Sequence, residues 1–181
     1  MTRQTPSYRK PARWLHWSMA VLVIAAIPVG RFMVQDGLSR PLQNTLFITH
    51  KNVGVLLLVL ITLRILYRWL NPPPPRPEGL APWQARASEI MHKLLYASLV
   101  VMPLSGYIRV RAGGFPIESL DLLGIPSLVP RSDALADIAK AVHFYASWII
   151  LALILVHIAA ALQHRFITRD GVFARMWPGA Q

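Results

Sequence analysis

Four stretches of this chain run for about twenty residues each with few or no charged side chains: Trp14 to Met33, His50 to Leu70, Ile90 to Ile108 and Ala139 to Gln163. At about 1.5 Å of rise per residue, about 20 apolar residues in a helix cross a hydrocarbon core of about 30 Å. The pattern predicts an all-α fold, a four-helix transmembrane bundle forming one integral-membrane domain over residues 1–181. Ser132 followed by Asp133 reads as a helix N-cap with a favourable acid in the first turn. The last helix should therefore begin outside the membrane and run over residues 134–165.

The connections are of two kinds. Residues 71–83, NPPPPRPEGLAPW, cannot be helical through the proline run and predict an extended spacer. The loop from Arg111 to Arg131 carries Leu120, Leu122, Leu123, Ile125, Leu128 and Val129, which predicts a lid lying over the opposite membrane face. The first apolar window follows Arg3, Arg9, Lys10 and Arg13 and so resembles a secretory signal. Its length, its His16 and the absence of a small-residue cleavage site before Arg31 mark it instead as a retained first helix.

Composition agrees: 54% of residues are hydrophobic and 15% charged, with a formal net charge of +11. Basic residues gather in the N-terminal segment, after the second window (Arg64, Arg68, Arg76, Arg86, Lys93) and in the tail (Arg165, Arg169, Arg175). The loop after the third window holds Glu118, Asp121, Asp133 and Asp137. Since Lys and Arg accumulate in cytoplasmic loops, both termini are expected in the cytoplasm. The excess charge is then largely topological, and no basic exposed domain suits nucleic acid.

Chemistry is concentrated in six histidines, and no cysteine is present to attach a c-type haem or hold an iron–sulfur cluster. His143 and His157 are 157 − 143 = 14 positions apart on one helix. That is almost four whole turns and about 21 Å, so they share a face at two depths. The topology puts His50 beside His143 on the outer side and His16 beside His157 on the inner side. Each pair joins two helices, as an axially bis-ligated b haem requires of neutral imidazoles. His16, His50, His143 and His157 are thus the expected ligands of two haem irons. His164, seven positions beyond His157, and His92 are expected near the inner haem.

Interfacial histidines also snorkel or bond to neighbouring helices, and His16 lies between Trp14 and Trp17 in an aromatic-belt position. The ligand reading rests on four histidines forming two pairs of matched depth. A zinc or di-metal centre would gather three or four ligands at one depth, often with carboxylates, and no acid occupies a helix centre. The same absence leaves no relay for proton pumping.

Taken in order, RWLHW, THKNVG, RxxYRWLNPPPP, HKLLY, PLSGY and HFYASWIILALILVHIAAALQH resemble the bacterial cytochrome b-561 family over nearly the whole chain. The resemblance implies a four-helix cytochrome of the bacterial inner membrane with two haem b groups, which exchanges electrons with a quinone pool. It implies His16, His50, His143 and His157 as the axial ligands.

The chain further resembles the free-standing branch that carries electrons from periplasmic superoxide to ubiquinone. Under that reading Lys51, Arg109, Arg111 and Lys140 surround the outer centre and steer the superoxide anion by charge. The alternative for those cations is pairing with phospholipid or haem propionates. On the inner side His164, with Arg13 or His92, would meet a quinone carbonyl and donate protons. The alternative function is a membrane subunit that links a periplasmic dehydrogenase, hydrogenase or c-type cytochrome to quinone, with no substrate site of its own. A haem-free structural protein is the third possibility.

Overall fold

The computed structural model describes residues 6–75 and 79–179, so Arg3, Arg76 and the centre of the proline-rich spacer lie outside the described residues. Among the described residues all regular structure is helical: α1 (Lys10–Phe32), α2 (Arg40–Leu70), α3 (Pro82–Ala112), the short α4 (Glu118–Leu122) and α5 (Asp133–Gln163). A π-helical turn, His164–Thr168, continues α5, and a 3-10 turn follows at Phe173–Met176. Helices α1, α2 and α3 each open with a proline in the first two positions, where its fixed φ suits the helix and its missing N–H costs nothing. The start of α5 is capped by Ser132, whose Oγ accepts from the Leu135 N–H at 3.3 Å.

The helices outrun the apolar windows. α2, α3 and α5 have 31 residues each, because polar turns beyond the apolar core stay helical in water once a proline or cap has set their entry. His50 therefore lies ten residues into α2 and His92 ten residues into α3, where the hydropathy windows put them at helix starts. Three helices, α1, α2 and α5 with its extension to Thr168, are long and apolar enough to cross a membrane. The fourth, α3, has the length without the uniform apolarity. It carries Arg86, Glu89, His92 and Lys93 near one end, Arg109 and Arg111 at the other, and Pro103 and Ser105 inside.

α1 packs on α2, α2 on α3, and α3 most extensively on α5. The buried centre is formed by Met19, Val23, Leu57 and Ile61, with Tyr96, Leu99 and Ile154 against it. Within the three spans only 6–11% of the apolar window is buried. Such faces suit lipid.

The two ends of the bundle are closed differently. At one end the termini meet: Tyr8 N–H donates to the Arg175 carbonyl (3.1 Å), and the Arg175 guanidinium donates to the carbonyls of Pro6, Pro74 and Pro75. The proline segment is thus a docking rail for the tail as well as a spacer. At the other end the loop after α3 folds back as a lid. Lys51 Nζ donates to the Pro116 carbonyl and to Glu118 Oε1, both at 2.7 Å, while Asn52 bonds Glu118 and the Ser119 N–H. Arg111 pairs with Asp121 at 2.5 Å, and Tyr107 OH accepts from the Leu128 N–H.

Candidate functional site

Each long helix carries two chemically distinctive residues 14 positions apart: His16 and Gly30 on α1 (30 − 16), His50 and Arg64 on α2 (64 − 50), His92 and Gly106 on α3 (106 − 92), His143 and His157 on α5 (157 − 143). Fourteen residues are almost four turns, about 21 Å of rise, so each pair stays on one face. Two layers result, named after the expected topology: an outer one of Gly30, His50, Gly106 and His143, and an inner one of His16, Arg64, His92 and His157.

In the outer layer the His50 and His143 rings face each other with centroids 6.2 Å apart and planes at 84°. Two imidazole nitrogens each about 2 Å from a shared metal put the ring centres roughly 6 Å apart. A glycine stands against each ring. A Cβ on Gly30 would fall 2.7 Å from His50 Cε1, and one on Gly106 would fall 3.1 Å from His143 Cε1. His143 Nδ1 lies 3.0 Å from the Met102 carbonyl and 3.2 Å from Ser105 Oγ. A carbonyl only accepts, so Nδ1 carries the hydrogen and Nε2 keeps its lone pair for a metal. Nδ1 of His50 is buried without a hydrogen-bond partner.

The inner layer holds three imidazoles. His157 lies 6.3 Å from His16 with planes at 80°, and 5.7 Å from His92 at 72°. Among the described residues no three His, Cys, Asp or Glu side chains converge as one metal-ligand set. Arg64 binds this layer together: Nε donates to Tyr96 OH (3.1 Å), Nη1 to the Ala12 carbonyl (3.0 Å), and Nη2 sits 3.5 Å from His16 Nδ1. Trp17 meets the His16 ring edge-on and donates to the Met176 carbonyl at 2.8 Å, bringing the tail beside the inner layer.

The helices that share a histidine pair are α1 with α5 and α2 with α5, and neither is among the extensively packed pairs. The imidazoles reach across gaps that the backbones leave open. That is the space a flat ligand held on both faces needs.

Most of the other expected site residues are committed to local partners. Lys51 and Arg111 are neutralised by Glu118 and Asp121 of the lid. The bond from Arg111 holds the Asp121 carboxyl below its usual value, against a smaller opposing effect of desolvation and with help from the Ile117 N–H and Lys51. Burial opposes ionisation of Glu118, but the bond and charge of Lys51, its own backbone N–H and Asn52 together outweigh that, so its carboxyl is also held low. The Arg109 side chain makes no hydrogen bond or ion pair among the described residues, and its charge acts on both outer imidazoles. Lys140 is exposed on α5. Arg13, 5% exposed, donates from Nη1 to the Trp177 carbonyl at 3.0 Å and so holds the tail. His92 Nδ1 lies 3.4 Å from Ser88 Oγ, and His164 Nδ1 donates to Asp170 at 2.6 Å. Sequence reasoning missed Gly30, Gly106, Arg64, Ser105 and Asp170. The 14-residue spacing, read on every helix instead of one, would have found the first three.

The profile of the prokaryotic cytochrome b561 family matches residues 7–179. The chain belongs to the prokaryotic cytochrome b561 family. It is 31% identical to cytochrome b561 homolog 2 of Escherichia coli K12, over 89% of this chain and 86% of that protein. It is 29% identical to cytochrome b561 homolog 1 of the same organism, over 94% and 97%, and 26% identical to a probable superoxide oxidase, CybB, of Yersinia pestis, over 91% and 92%. The family is one of bacterial membrane proteins that bind haem b and transfer electrons. The b561 chain fits that group on its own geometry: facing imidazoles at metal-sharing separation, a glycine against each outer ring, and Nε2 of His143 left free.

Proposed function

We propose that this b561 chain is one membrane domain, with both termini cytoplasmic, that carries electrons from superoxide on the periplasmic side to ubiquinone on the cytoplasmic side of the bacterial inner membrane. The observation that carries the reading is the two-layer arrangement of histidines, 6.2 Å apart in one layer and 6.3 Å in the other. His50 and His143 would hold one haem b, and His16 and His157 a second. Bound there, the haems supply one-electron carriers at two depths.

The residues around them do the rest. Met102 and Ser105 fix the His143 imidazole, and Gly30 and Gly106 make room beside the outer pair. Arg109 raises the local concentration of a small anion at the outer layer. His164 and His92 line the inner pocket, where ubiquinone takes two electrons and two protons to become ubiquinol, while two superoxide anions become two molecules of oxygen. Orientation is supported by the basic tail and N-terminal segment sharing one end of the bundle and the acidic lid lying at the other.

The neutralisation of Lys51 and Arg111 by the lid favours a second reading. With fewer free cations outside, electrons would enter from a docked periplasmic protein. One experiment separates the two. Purified protein should contain two haem b per chain, and superoxide alone should reduce it and yield ubiquinol. Two haems that superoxide leaves oxidised would transfer the assignment to the partner-dependent reading, and a colourless protein would end both.

A further inference from the structure

Immediately after α5 the chain does something costly. The π-helical turn His164–Thr168 ends at Arg169, whose φ of 54° is the left-handed region, and among the described residues no other non-glycine has a positive φ. Gly171 follows at φ 79°. This reversal brings Asp170 back beside the first residue of the π turn, where Oδ2 accepts from His164 Nδ1–H at 2.6 Å. The other carboxylate oxygen is pinned by the Val172 N–H at 3.1 Å. Both side chains are mostly buried, 18% and 24% exposed. π turns and strained residues concentrate where a structure spends stability on function. His164 stands 164 − 157 = 7 residues, about 10 Å, beyond His157. From Asp170 the tail runs on to Trp17, which touches His16.

We infer that Asp170 is the positioning residue of a proton-donating dyad, Asp170–His164, that serves quinone reduction at the inner layer. The inference rests on the reading that His164 lines the quinone pocket. Asp170 fixes the hydrogen on Nδ1 and stabilises the imidazolium, so that the second ring hydrogen, on Nε2, is the one offered. The quinone gains two electrons, one at a time, from the inner layer, as two superoxide anions are oxidised outside. The Nε2–H bond breaks, an O–H bond forms on one quinone carbonyl oxygen, and His164 is left neutral with Nδ1–H still bonded to Asp170. Water on the inner side returns a proton to Nε2 and supplies the second carbonyl. The conformational cost of the reversal at Arg169 thus secures one tautomer at one place.

The test uses the full chain with its haem, reduced in advance with dithionite and mixed with a short-chain ubiquinone over a range of concentrations. Positioned acid–base groups contribute about 10²- to 10⁴-fold, so removal of the carboxylate should lower the maximum reoxidation rate by about tenfold or more. Expected for Asp170→Asn is that fall with haem content and half-saturating quinone unchanged. Asp170→Glu should recover most of the rate, and Asp170→Asn with His164→Gln should be no slower than His164→Gln alone, since the two act as a unit. Asp170→Ser replaces Asp170→Asn if the latter assembles without haem. A wild-type rate in Asp170→Asn, a rise in half-saturation alone, or an Asp170→Glu as slow as Asp170→Asn overturns the dyad. A wild-type chain that quinone cannot reoxidise overturns the quinone reading itself, and the dyad with it.

Discussion

Gly30 of α1 lies so close to His50 of α2 that a Cβ on it would come within 2.7 Å of the imidazole Cε1. No side chain fits there without moving the ring, and the His50 Nδ1 is buried without a hydrogen-bond partner. Gly30→Ala should therefore displace the ring and weaken the outer haem about ten- to a hundredfold, the range for lost support around a ligand. Gly106→Ala, at 3.1 Å and against a ring anchored by Met102, should cost less. Haem per chain and the reduced-minus-oxidised spectrum measure both.

The ligand assignment predicts paired losses. His50→Ala and His143→Ala should each remove the same haem, and His16→Ala and His157→Ala the other, so each variant keeps about one haem per chain. His92, 5.7 Å from His157, tests the pairing: its alanine variant should retain both.

Steering should be carried by Arg109 and hardly by Lys51, because Glu118 already neutralises the lysine. Arg109→Gln should slow reduction by superoxide several-fold at low salt and flatten its ionic-strength dependence. Lys51→Gln should leave the salt slope near wild type. Equal slopes in all three proteins would remove electrostatic steering from the account.

Lid closure should fail in acid. Bonding to Lys51 holds the Glu118 carboxyl below its ordinary 4.5, so its contribution is present at neutral pH and lost as pH falls through the lowered value. Asp121, held below 3.8 by Arg111, follows the same sign. Hydrogen-exchange protection of residues 113–131, corrected for the intrinsic exchange rate at each pH, should thus be high at pH 7 and fall as pH drops through the lowered carboxyl values, beneath 4.5 and 3.8. Glu118→Gln should lower it already at neutral pH.

Arg175, only 7% exposed, gives hydrogen bonds to carbonyls of both the N-terminal segment and the proline rail. Arg175→Ala leaves those carbonyls without their donor and should destabilise the protein by about 3 kcal/mol, since bonds from charged donors are worth about 1.5–3 kcal/mol each. Thermal denaturation in detergent reads the loss, and Arg175→Lys should restore little because one ammonium cannot span the same acceptors.

What the sequence determined by itself is what local physics writes along the chain. Apolar length predicts the spans, Ser132 marks the start of α5, and the separation of His143 from His157 puts both on one face because 14 is nearly a whole number of turns. Hydropathy underread the helices, since it measures where lipid begins and a helix continues past that boundary into water, as α2 does for ten residues before His50. Tertiary structure alone decided how those faces meet. It set His16 and His92 each beside His157, laid glycines against the outer rings, and joined Lys51 to a glutamate 67 positions away. It also returned Asp170 to His164 through one left-handed residue. Spacing along a helix is fixed by its pitch, whereas contact between helices depends on how all four pack, and no single segment carries that information.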